Sequence, residues 1–268
     1  MEKKKILFIS QEITPYLPET NMSEISRYLP QGVQERDREI RTFMPRYGCV
    51  NERRNQLHEV IRLSGMNLVI KDTDHPLIIK VASIQAARMQ VYFIDNEDYF
   101  HRKSVLTDKN GDEFPDNDER AIFFARGVLE TVIKLRWAPD IIHCHGWLSS
   151  LVPFYIKKYY HDDPLFAQSK VIYSVYNDDF KNNLNSDFKD NLLLEGITSE
   201  DVALLKEPSF INVSKLAIDN SDAVIKGNVD INSEVENHIK KSSDILFLDY
   251  QPKETYIDAY NEFYDKIM

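Results

Sequence analysis

Two histidines, His143 and His145, are separated by a single residue in the apolar segment PDIIHCH (139–145). Alternate side chains of a β-strand point to the same face, so the two imidazoles are predicted to lie side by side. Such a pair could bind a metal ion, but no cysteine or acid at matching spacing completes a zinc-type ligand set. The alternative is one packed and one surface histidine, and no metal site is predicted.

Four polar residues end or follow the next apolar segment, SKVIYSVY (169–176): Tyr176, Asn177, Asp178 and Asp179. A pair of carboxylates is the catalytic equipment of glycoside hydrolases. Adjacent residues at the end of a strand usually point apart, however, so a solvated loop is the preferred interpretation. Tyr176 can hydrogen-bond a hydroxyl group, but its phenol does not titrate near neutral pH.

The third candidate is the loop in FISQEITPYLPETNMSEISRYLP (8–30), which joins a predicted strand to a predicted helix. In many α/β enzymes this place binds phosphate through backbone N–H groups and the helix dipole. Here the stretch has no glycine or lysine, and Glu12, Glu19 and Glu24 are acidic. Asn21 is predicted to cap the helix, with Glu24 at capping-box spacing. We therefore expect helix capping and not phosphate binding.

Segments of two kinds alternate along the chain and would position these residues. Short apolar runs predict buried strands at 5–10, 39–44, 139–145, 169–176, 222–226 and 244–248. Amphipathic stretches predict helices at 22–36, near 208–220 and at 231–241. Two further helices are predicted: one follows a capping box of Asp116 and Glu119 and extends to residue 133, and the other begins at residue 146. The alternation predicts an α/β fold: a single Rossmann-like, doubly wound, mostly parallel sheet with helices on both faces.

Two parts of the chain depart from that alternation. Residues 57–95 contain strand-like runs with no helix between them, so hairpins or a small meander are predicted as a β-rich insertion at the sheet edge. Residues 252–268 place Tyr256, Tyr260 and Tyr264 on one face and predict an amphipathic helix docked on the domain. Residues 1–268 are accordingly predicted to form one domain.

The composition narrows the class of protein. The 268 residues carry a formal net charge of −10, whereas nucleic-acid binding needs clustered lysine and arginine, so no nucleic-acid partner is expected. No apolar run approaches the roughly 20 residues that a membrane helix needs, so no membrane partner is expected either. The two cysteines, Cys49 and Cys144, fit a reducing cytoplasm.

Several stretches together resemble a known family. KILFISQEITPY is similar to the first strand and loop of bacterial glycogen and starch synthases, and LPQGVQERDREIRTFMPRYG to the helix and strand that follow. FPDNDERAIFFARGVLE, APDIIHCHGWLSSLVPFYIK, KVIYSVYN and INVSKLAIDNSDAVIKGN match further segments in the same order, over about residues 1–245. The resemblance implies the N-terminal half of a two-domain GT-B glucosyltransferase. Such enzymes transfer glucose from ADP-glucose to an α-1,4-glucan, and no cofactor is implied beyond this donor.

The resemblance also implies substrate-binding positions. The family's first loop reads Lys-Thr-Gly-Gly, and its counterpart here is one residue shorter and has Glu19 in place of the lysine. The family's HDW histidine corresponds to His145, which would face the sugar cleft, and its HN pair corresponds to Tyr176 and Asn177. The implied substrate-binding set is Thr20, Asn21, His145, Tyr176 and Asn177, and no catalytic residue is assigned.

Further family features are altered. The aspartate of HDW is Gly146 here, while Trp147 is kept as a core anchor or a sugar platform. TYIDAYNEFYDKI (255–267) resembles the last helix of these synthases, so the chain is predicted to keep both ends of a synthase and to lack the second nucleotide-binding domain. Charge on the leaving diphosphate would then have no preorganised partner, and this electrostatic term is usually the largest in catalysis.

The predicted function is that of a glycogen or starch synthase homologue without autonomous catalysis. It would bind a sugar or α-glucan, or act as a regulatory or scaffolding protein, with the cleft face open to a second copy or a protein partner. Tyr155, Tyr159 and Tyr160 are either glucan ligands or core and interface residues. The alternatives are an active glucosyltransferase, completed by a partner chain or with an altered donor site, and a pure interaction module.

Overall fold

The computed structural model describes residues 3–268, and its strands assemble into a ten-stranded sheet. The strands are β1 (Lys5–Ser10), β2 (Glu39–Pro45), β3 (His58–Glu59), β4 (Met66–Ile70), β5 (Thr73–Ile84), β6 (Met89–Asp95), β7 (Ile141–His145), β8 (Lys170–Val175), β9 (Ala223–Lys226) and β10 (Leu246–Leu248). The helices are α1 (Asn21–Gln34), α2 (Glu52–Asn55), α3 (Glu97–Phe100), α4 (Asn117–Leu135), α5 (Leu151–Lys158), α6 (Phe188–Asn191), α7 (Phe210–Asp219), α8 (Ser233–Lys241) and α9 (Tyr256–Ile267).

The order of the strands places β1 at the centre of the sheet. The order is β10, β9, β8, β7, β1, β2, β6, β5 and β3, with β4 paired to β5 outside this path. Neighbours from β10 to β6 run parallel, whereas β5 is antiparallel to β3, β4 and β6. The predicted doubly wound, mostly parallel sheet is confirmed. Ligands bind such sheets at the carboxyl ends of the strands where the order reverses, here beside β1.

Helices cover both faces of this sheet because its central strands are apolar on both sides. Along β1, Leu7 and Ile9 belong to a core cluster that includes α4 and α5. Ile6 and Phe8 belong to a second cluster that includes α1 and α9. An uninterrupted apolar strand is what burial on two faces requires.

The predicted β-rich insertion at 57–95 is only partly right. β3, β4 and β5 form antiparallel pairs at the sheet edge, as predicted. β6, however, is a parallel neighbour of β2 and belongs to the central sheet. Two parallel strands are normally joined by a helix, which returns the chain to the end of the sheet at which both strands begin. Here the antiparallel β5 returns the chain to that end, so β6 follows without a helix.

The predicted capping box at the start of α4 is wrong. Asp116 precedes the helix, but its side chain makes no capping hydrogen bond. Its carboxylate instead accepts hydrogen bonds from both terminal nitrogens of the Arg102 guanidinium. Glu119 accepts a hydrogen bond from the Tyr99 hydroxyl at 2.8 Å. A bidentate arginine bond is stronger than a bond to a backbone amide, so it decides the orientation of Asp116.

The C-terminal helix α9 is docked on the sheet, as predicted. Its buried face packs on the α1 side of the sheet and consists of Tyr256, Tyr260, Phe263, Tyr264 and Ile267. Arg36 and Arg38, which follow α1, form ion pairs with Asp258 and Asp265 of α9. The Tyr264 hydroxyl also lies 2.7 Å from Nδ1 of His143 on β7. The helix is therefore both packed on the sheet and hydrogen-bonded to a central strand.

The tyrosines of the α5 region are mainly core residues. Tyr155 and Tyr160 are buried, whereas Tyr159 is 40 % exposed. Tyr160 donates a hydrogen bond to Glu130 of α4 at 2.6 Å. Packing between α5 and α4 therefore accounts for two of the three tyrosines.

Within residues 3–268, no helix combines the length and apolar character needed to cross a bilayer. Cys49 and Cys144 are free thiols, the first exposed and the second buried.

Candidate functional site

The residues predicted to bind substrate converge at the carboxyl ends of the parallel strands. They are Thr20 and Asn21 at the start of α1, His145 at the end of β7, and Tyr176 and Asn177 directly after β8. The structure brings His145 and Tyr176 into hydrogen-bond contact. It also links Asn21 to the loop after β9, because the Asn21 amide donates to the Gly227 carbonyl.

Helix α1 is capped by Thr20, and the prediction that Asn21 is the cap is wrong. The Thr20 hydroxyl accepts a hydrogen bond from the backbone N–H of Ser23 at 3.0 Å. The Ser23 hydroxyl in turn accepts one from the backbone N–H of Thr20 at 2.8 Å, which completes a capping box. The helix thus begins one residue earlier than predicted, and this frees Asn21 to bond the loop after β9.

Several polar side chains of the first loop form hydrogen bonds within the chain. The Thr20 hydroxyl donates to a Glu12 carboxylate oxygen at 2.8 Å. The Gln11 side chain accepts a hydrogen bond from the backbone N–H of Leu148 at 3.1 Å. A phosphate here would have to displace these contacts and approach the Glu12 carboxylate, which repels it. The loop therefore caps the helix and uses its polar side chains for contacts within the chain.

His145 is completely enclosed. Its side chain is 0 % exposed, and its Nδ1 lies 2.8 Å from the hydroxyl of Tyr176, which is itself 2 % exposed. The Tyr176 ring rests on Gly227, where an added Cβ would come within 2.6 Å of it. The resemblance implied a histidine that faces an open sugar cleft, whereas here Tyr176 covers the imidazole. A sugar hydroxyl would reach the imidazole only after Tyr176 moved away.

The prediction of one packed and one surface histidine is also wrong. The rings of His143 and His145 lie on the same face, with centroids 3.9 Å apart, and both are buried. Tyr264 and Ser174 hold His143 through hydrogen bonds of 2.7 Å to its two ring nitrogens. No group of three metal-ligating side chains occurs among residues 3–268.

Burial keeps both imidazoles neutral. Loss of solvation lowers the pKa of His145 to about 3 and lowers the pKa of His143 well below its ordinary value. Nε2 of His145 is buried and has no hydrogen-bond partner in the part of the chain that the structure describes. Neither ring can therefore act as an acid or base toward solvent near neutral pH.

Gly146, which stands in the place of the family's aspartate, has a conformation suited to glycine. Its φ is +82°, a value that side chains rarely tolerate. A Cβ added there would lie 2.7 Å from Cε of Met22 and 3.0 Å from a carboxylate oxygen of Asp178. An aspartate does not fit this position without movement of its neighbours.

Restoring the family residue with Gly146→Asp should therefore lower the free energy of unfolding by about 2–4 kcal/mol, from backbone strain, overpacking and repulsion by Asp178. Gly65→Asp is the matched control, because Gly65 has a φ of +87° with no atom within 4 Å of an added Cβ. Urea denaturation measures both variants. Equal losses in the two variants would show that crowding around Gly146 has no effect.

Asp178 and Asp179 diverge: Asp178 is half-buried, whereas Asp179 is exposed. Asp178 accepts a hydrogen bond from the backbone N–H of Trp147 at 2.8 Å, and burial raises the pKa of Asp178 to about 7. The exposed Asp179 accepts one from the Asn232 amide at 2.8 Å. The solvated-loop prediction holds for Asp179, whereas Asp178 is only partly exposed and is bonded to the Trp147 N–H. Because the two carboxylates serve different loop contacts, the structure gives no support to a hydrolase pair.

Asp178→Asn should stabilise the protein more at pH 8 than at pH 5. Because the folded pKa is raised, the stability that this carboxyl group contributes is complete below about pH 4 and is lost as pH rises through about 7. Asparagine keeps an acceptor for the Trp147 N–H but carries no charge. The gain in unfolding free energy over the wild type should grow by roughly 2–3 kcal/mol between the two pH values. Asp179→Asn is the control, and an equal pH response in both variants would contradict a buried charge.

Trp147 is a core residue and not a sugar platform. It is 1 % exposed, and its ring meets that of Phe180 edge-on at a centroid distance of 4.8 Å. Of the two interpretations left open by the sequence, the core anchor is the one that the structure supports.

Two residues of the loop after β9 close this site and were not predicted from the sequence. Gly227 supports Tyr176, and the Asn228 side chain accepts a hydrogen bond from the backbone N–H of Asn177 at 3.1 Å. The available signal was their position directly after the predicted strand DAVIK, since the carboxyl ends of parallel strands meet at one edge.

The chain matches a protein-family model and several known proteins in sequence. A family model described as "Starch synthase catalytic domain" matches residues 5–242. A glycogen synthase of Chlorobium luteolum is 34% identical over 219 residues, which cover 81% of this chain and 44% of that protein. A glycogen synthase of Chlorobium limicola is 38% identical over 174 residues, 65% of this chain and 36% of that protein. The chain thus spans less than half the length of these curated relatives.

A solved structure shares the fold. The catalytic domain of starch synthase IV from Arabidopsis thaliana, bound to ADP and acarbose, superimposes with a TM-score of 0.71 and 17% sequence identity. The match covers 95% of this chain and 53% of that one. The central sheet and its helices are therefore those of a GT-B-type synthase domain.

Proposed function

The chain belongs to the family of starch synthase catalytic domains, and we propose that it is a member without autonomous glucosyl transfer. The observation that carries this proposal is the enclosure of His145 beneath Tyr176, with a hydrogen bond of 2.8 Å and no exposed surface on the imidazole. Transfer of glucose from ADP-glucose to an α-glucan requires this edge to admit a sugar and a diphosphate. Here a neutral, covered imidazole occupies the position of the family's cleft histidine.

Two further contacts support the proposal. Glu12 bonds Thr20 at the start of α1, so a carboxylate occupies the neighbourhood in which the donor phosphates would need positive charge. Gly146 provides no carboxylate where the family has one, and Met22 and Asp178 fill the space that it would need. Donor binding and sugar positioning are therefore both impaired by residues of this chain itself.

The role that remains is binding. We place it at the exposed part of the same edge, where Asn177 is exposed and Val229, in the loop after β9, is 60 % exposed. An α-glucan, a second copy of the chain or another protein could occupy this surface, and the protein would then act in regulation or scaffolding of glucan metabolism in the cytoplasm. Millimolar maltose in a calorimeter separates these roles, because a heat of binding supports the glucan and its absence supports a protein partner.

The test of the proposal is a transfer assay with ADP-glucose and glycogen, run beside a full-length glycogen synthase at equal concentration. We expect no incorporation of glucose by the purified chain. Incorporation at a rate typical of the family would refute the proposal. Incorporation that begins only when a separate second domain is added would favour the alternative of an enzyme completed by a partner chain.

A further inference from the structure

A groove of about 370 Å³ lies at the end of the sheet where β2 and β6 begin. This is the end opposite the candidate site, which lies at the carboxyl ends of the strands. The β5–β6 hairpin overhangs β2, since Thr42 of β2 pairs with Val91 while the hairpin extends to the pair of Ile84 and Met89. The overhanging part of the hairpin and the last turn of α1 form the walls of the groove. The polar residues that line it are Gln34, Arg41, Ser83, Arg88, Gln90 and Tyr92.

This groove is basic although the chain as a whole has a net charge of −10. Two arginines, Arg41 and Arg88, line it, and no acidic residue does. Neither arginine forms an ion pair with any carboxylate of residues 3–268. Glu39, two residues before Arg41 on β2, accepts a hydrogen bond from the Trp137 indole at 2.5 Å. Neither guanidinium group of the groove is therefore in direct contact with a carboxylate of the described residues.

Arg41 is held in place before any ligand arrives. Its Nη1 donates to the Tyr92 hydroxyl at 2.7 Å, and its guanidinium carbon lies 5.7 Å and 5.3 Å from the ring centroids of Tyr92 and Trp137. Its Nε is buried and has no hydrogen-bond partner in the described part of the chain. The guanidinium is thus fixed by its neighbours, and the part of Arg41 that remains exposed can meet an anion without losing further side-chain freedom.

Arg88 supplies the second charge from the β5–β6 hairpin. It ends the short 3-10 turn Gln85–Ala87 with a φ of +50°, and its side chain is exposed. The amides of Gln34 and Gln90 and the hydroxyl of Ser83 add neutral hydrogen-bonding groups. Two guanidinium groups and several neutral donors match the charge and the many acceptor oxygens of a phosphate group.

We propose that this groove binds a small anion that carries a phosphate group, with Arg41 as the fixed ligand and Arg88 as the exposed one. The volume is within the range of small-molecule sites, and the neutral groups could bond the hydroxyls of a phosphorylated sugar. This site is separate from the carboxyl edge, so it does not depend on whether the protein transfers glucose.

Isothermal titration calorimetry at low ionic strength, with inorganic phosphate and with glucose 1-phosphate, tests the site. We expect saturable binding to the wild type and about tenfold weaker binding to Arg88→Gln, since a charge-assisted hydrogen bond is lost. Arg88→Gln should unfold like the wild type, because the exposed side chain has no bonded partner among the described residues. Arg53→Gln is the matched control, since Arg53 is an exposed arginine of α2 and α2 follows the carboxyl end of β2, away from the groove.

The control should retain wild-type affinity. Tighter binding of glucose 1-phosphate than of inorganic phosphate would assign the site to a phosphorylated sugar, and equal binding would assign it to free phosphate. The proposal is overturned if millimolar phosphate gives no saturable signal, or if Arg88→Gln and Arg53→Gln bind as well as the wild type.

Discussion

Replacing Tyr264 with alanine should lower the free energy of unfolding by about 3–5 kcal/mol, the range expected when a large aromatic side chain is removed from a packed core. Tyr264 is 0 % exposed in α9 and its hydroxyl lies 2.7 Å from Nδ1 of His143. The substitution therefore opens a cavity between the helix and the sheet and leaves a buried ring nitrogen without its partner. Urea denaturation at pH 7.5 measures the loss.

Two variants separate the contributions of packing and hydrogen bonding at this position. Tyr264→Phe keeps the ring and removes the bond to His143, so a loss of about 1–2 kcal/mol is expected. Tyr159→Ala removes a tyrosine that is 40 % exposed, and should cost distinctly less than Tyr264→Ala. Equal losses for Tyr159→Ala and Tyr264→Ala would show that α9 is not part of the core.

Acidification should destabilise the folded protein steeply between pH 6.5 and pH 4. An unfolded histidine has a pKa near 6.5, whereas burial lowers that of folded His145 to about 3. Below pH 6.5 the unfolded state binds more protons, so the stability is complete above this pH and is lost as pH falls toward 3. His145 alone accounts for about 5 kcal/mol over the whole window, and His143 acts in the same direction.

Urea denaturation at several pH values measures this loss as a slope. His145→Leu should reduce the slope between pH 6 and pH 4 by about 1.4 kcal/mol per pH unit, since one fewer proton is taken up on unfolding. The control is His58→Gln, which removes an exposed histidine of β3 and should leave the slope unchanged. If His145→Leu retains the wild-type slope, the imidazole is not buried as described.

The fold was predictable where local pattern and burial agree. β1, β7 and β8 are apolar runs, and the residues of α4 repeat with helical period, so neither depends on distant partners. β6 was assigned to an edge insertion because its sequence does not say that β2 will be its parallel neighbour. Which strands pair is decided by contacts between segments far apart in the chain, and single-sequence periodicity does not contain that information.

The site was predictable in position but not in accessibility. The period of two places His143 and His145 on one face, and this prediction is confirmed. Their burial depends on Tyr176 and Tyr264, which lie 31 and 121 residues away from the histidines that they bond. The cap of α1 was missed by a single residue, because Thr20 and Asn21 are both good caps and only the contact with Gly227 removes Asn21 from that role.

The proposed loss of catalysis requires the carboxyl edge of the sheet to be closed, and a crystal structure determined after soaking with ADP-glucose and maltose tests this most directly. The expected result is a Tyr176 hydroxyl that remains about 2.8 Å from Nδ1 of His145, with no nucleotide at Thr20 and Asn21. Nucleotide phosphates bound at the start of α1, with Tyr176 displaced and a sugar hydroxyl on the His145 imidazole, would contradict the proposed loss of catalysis.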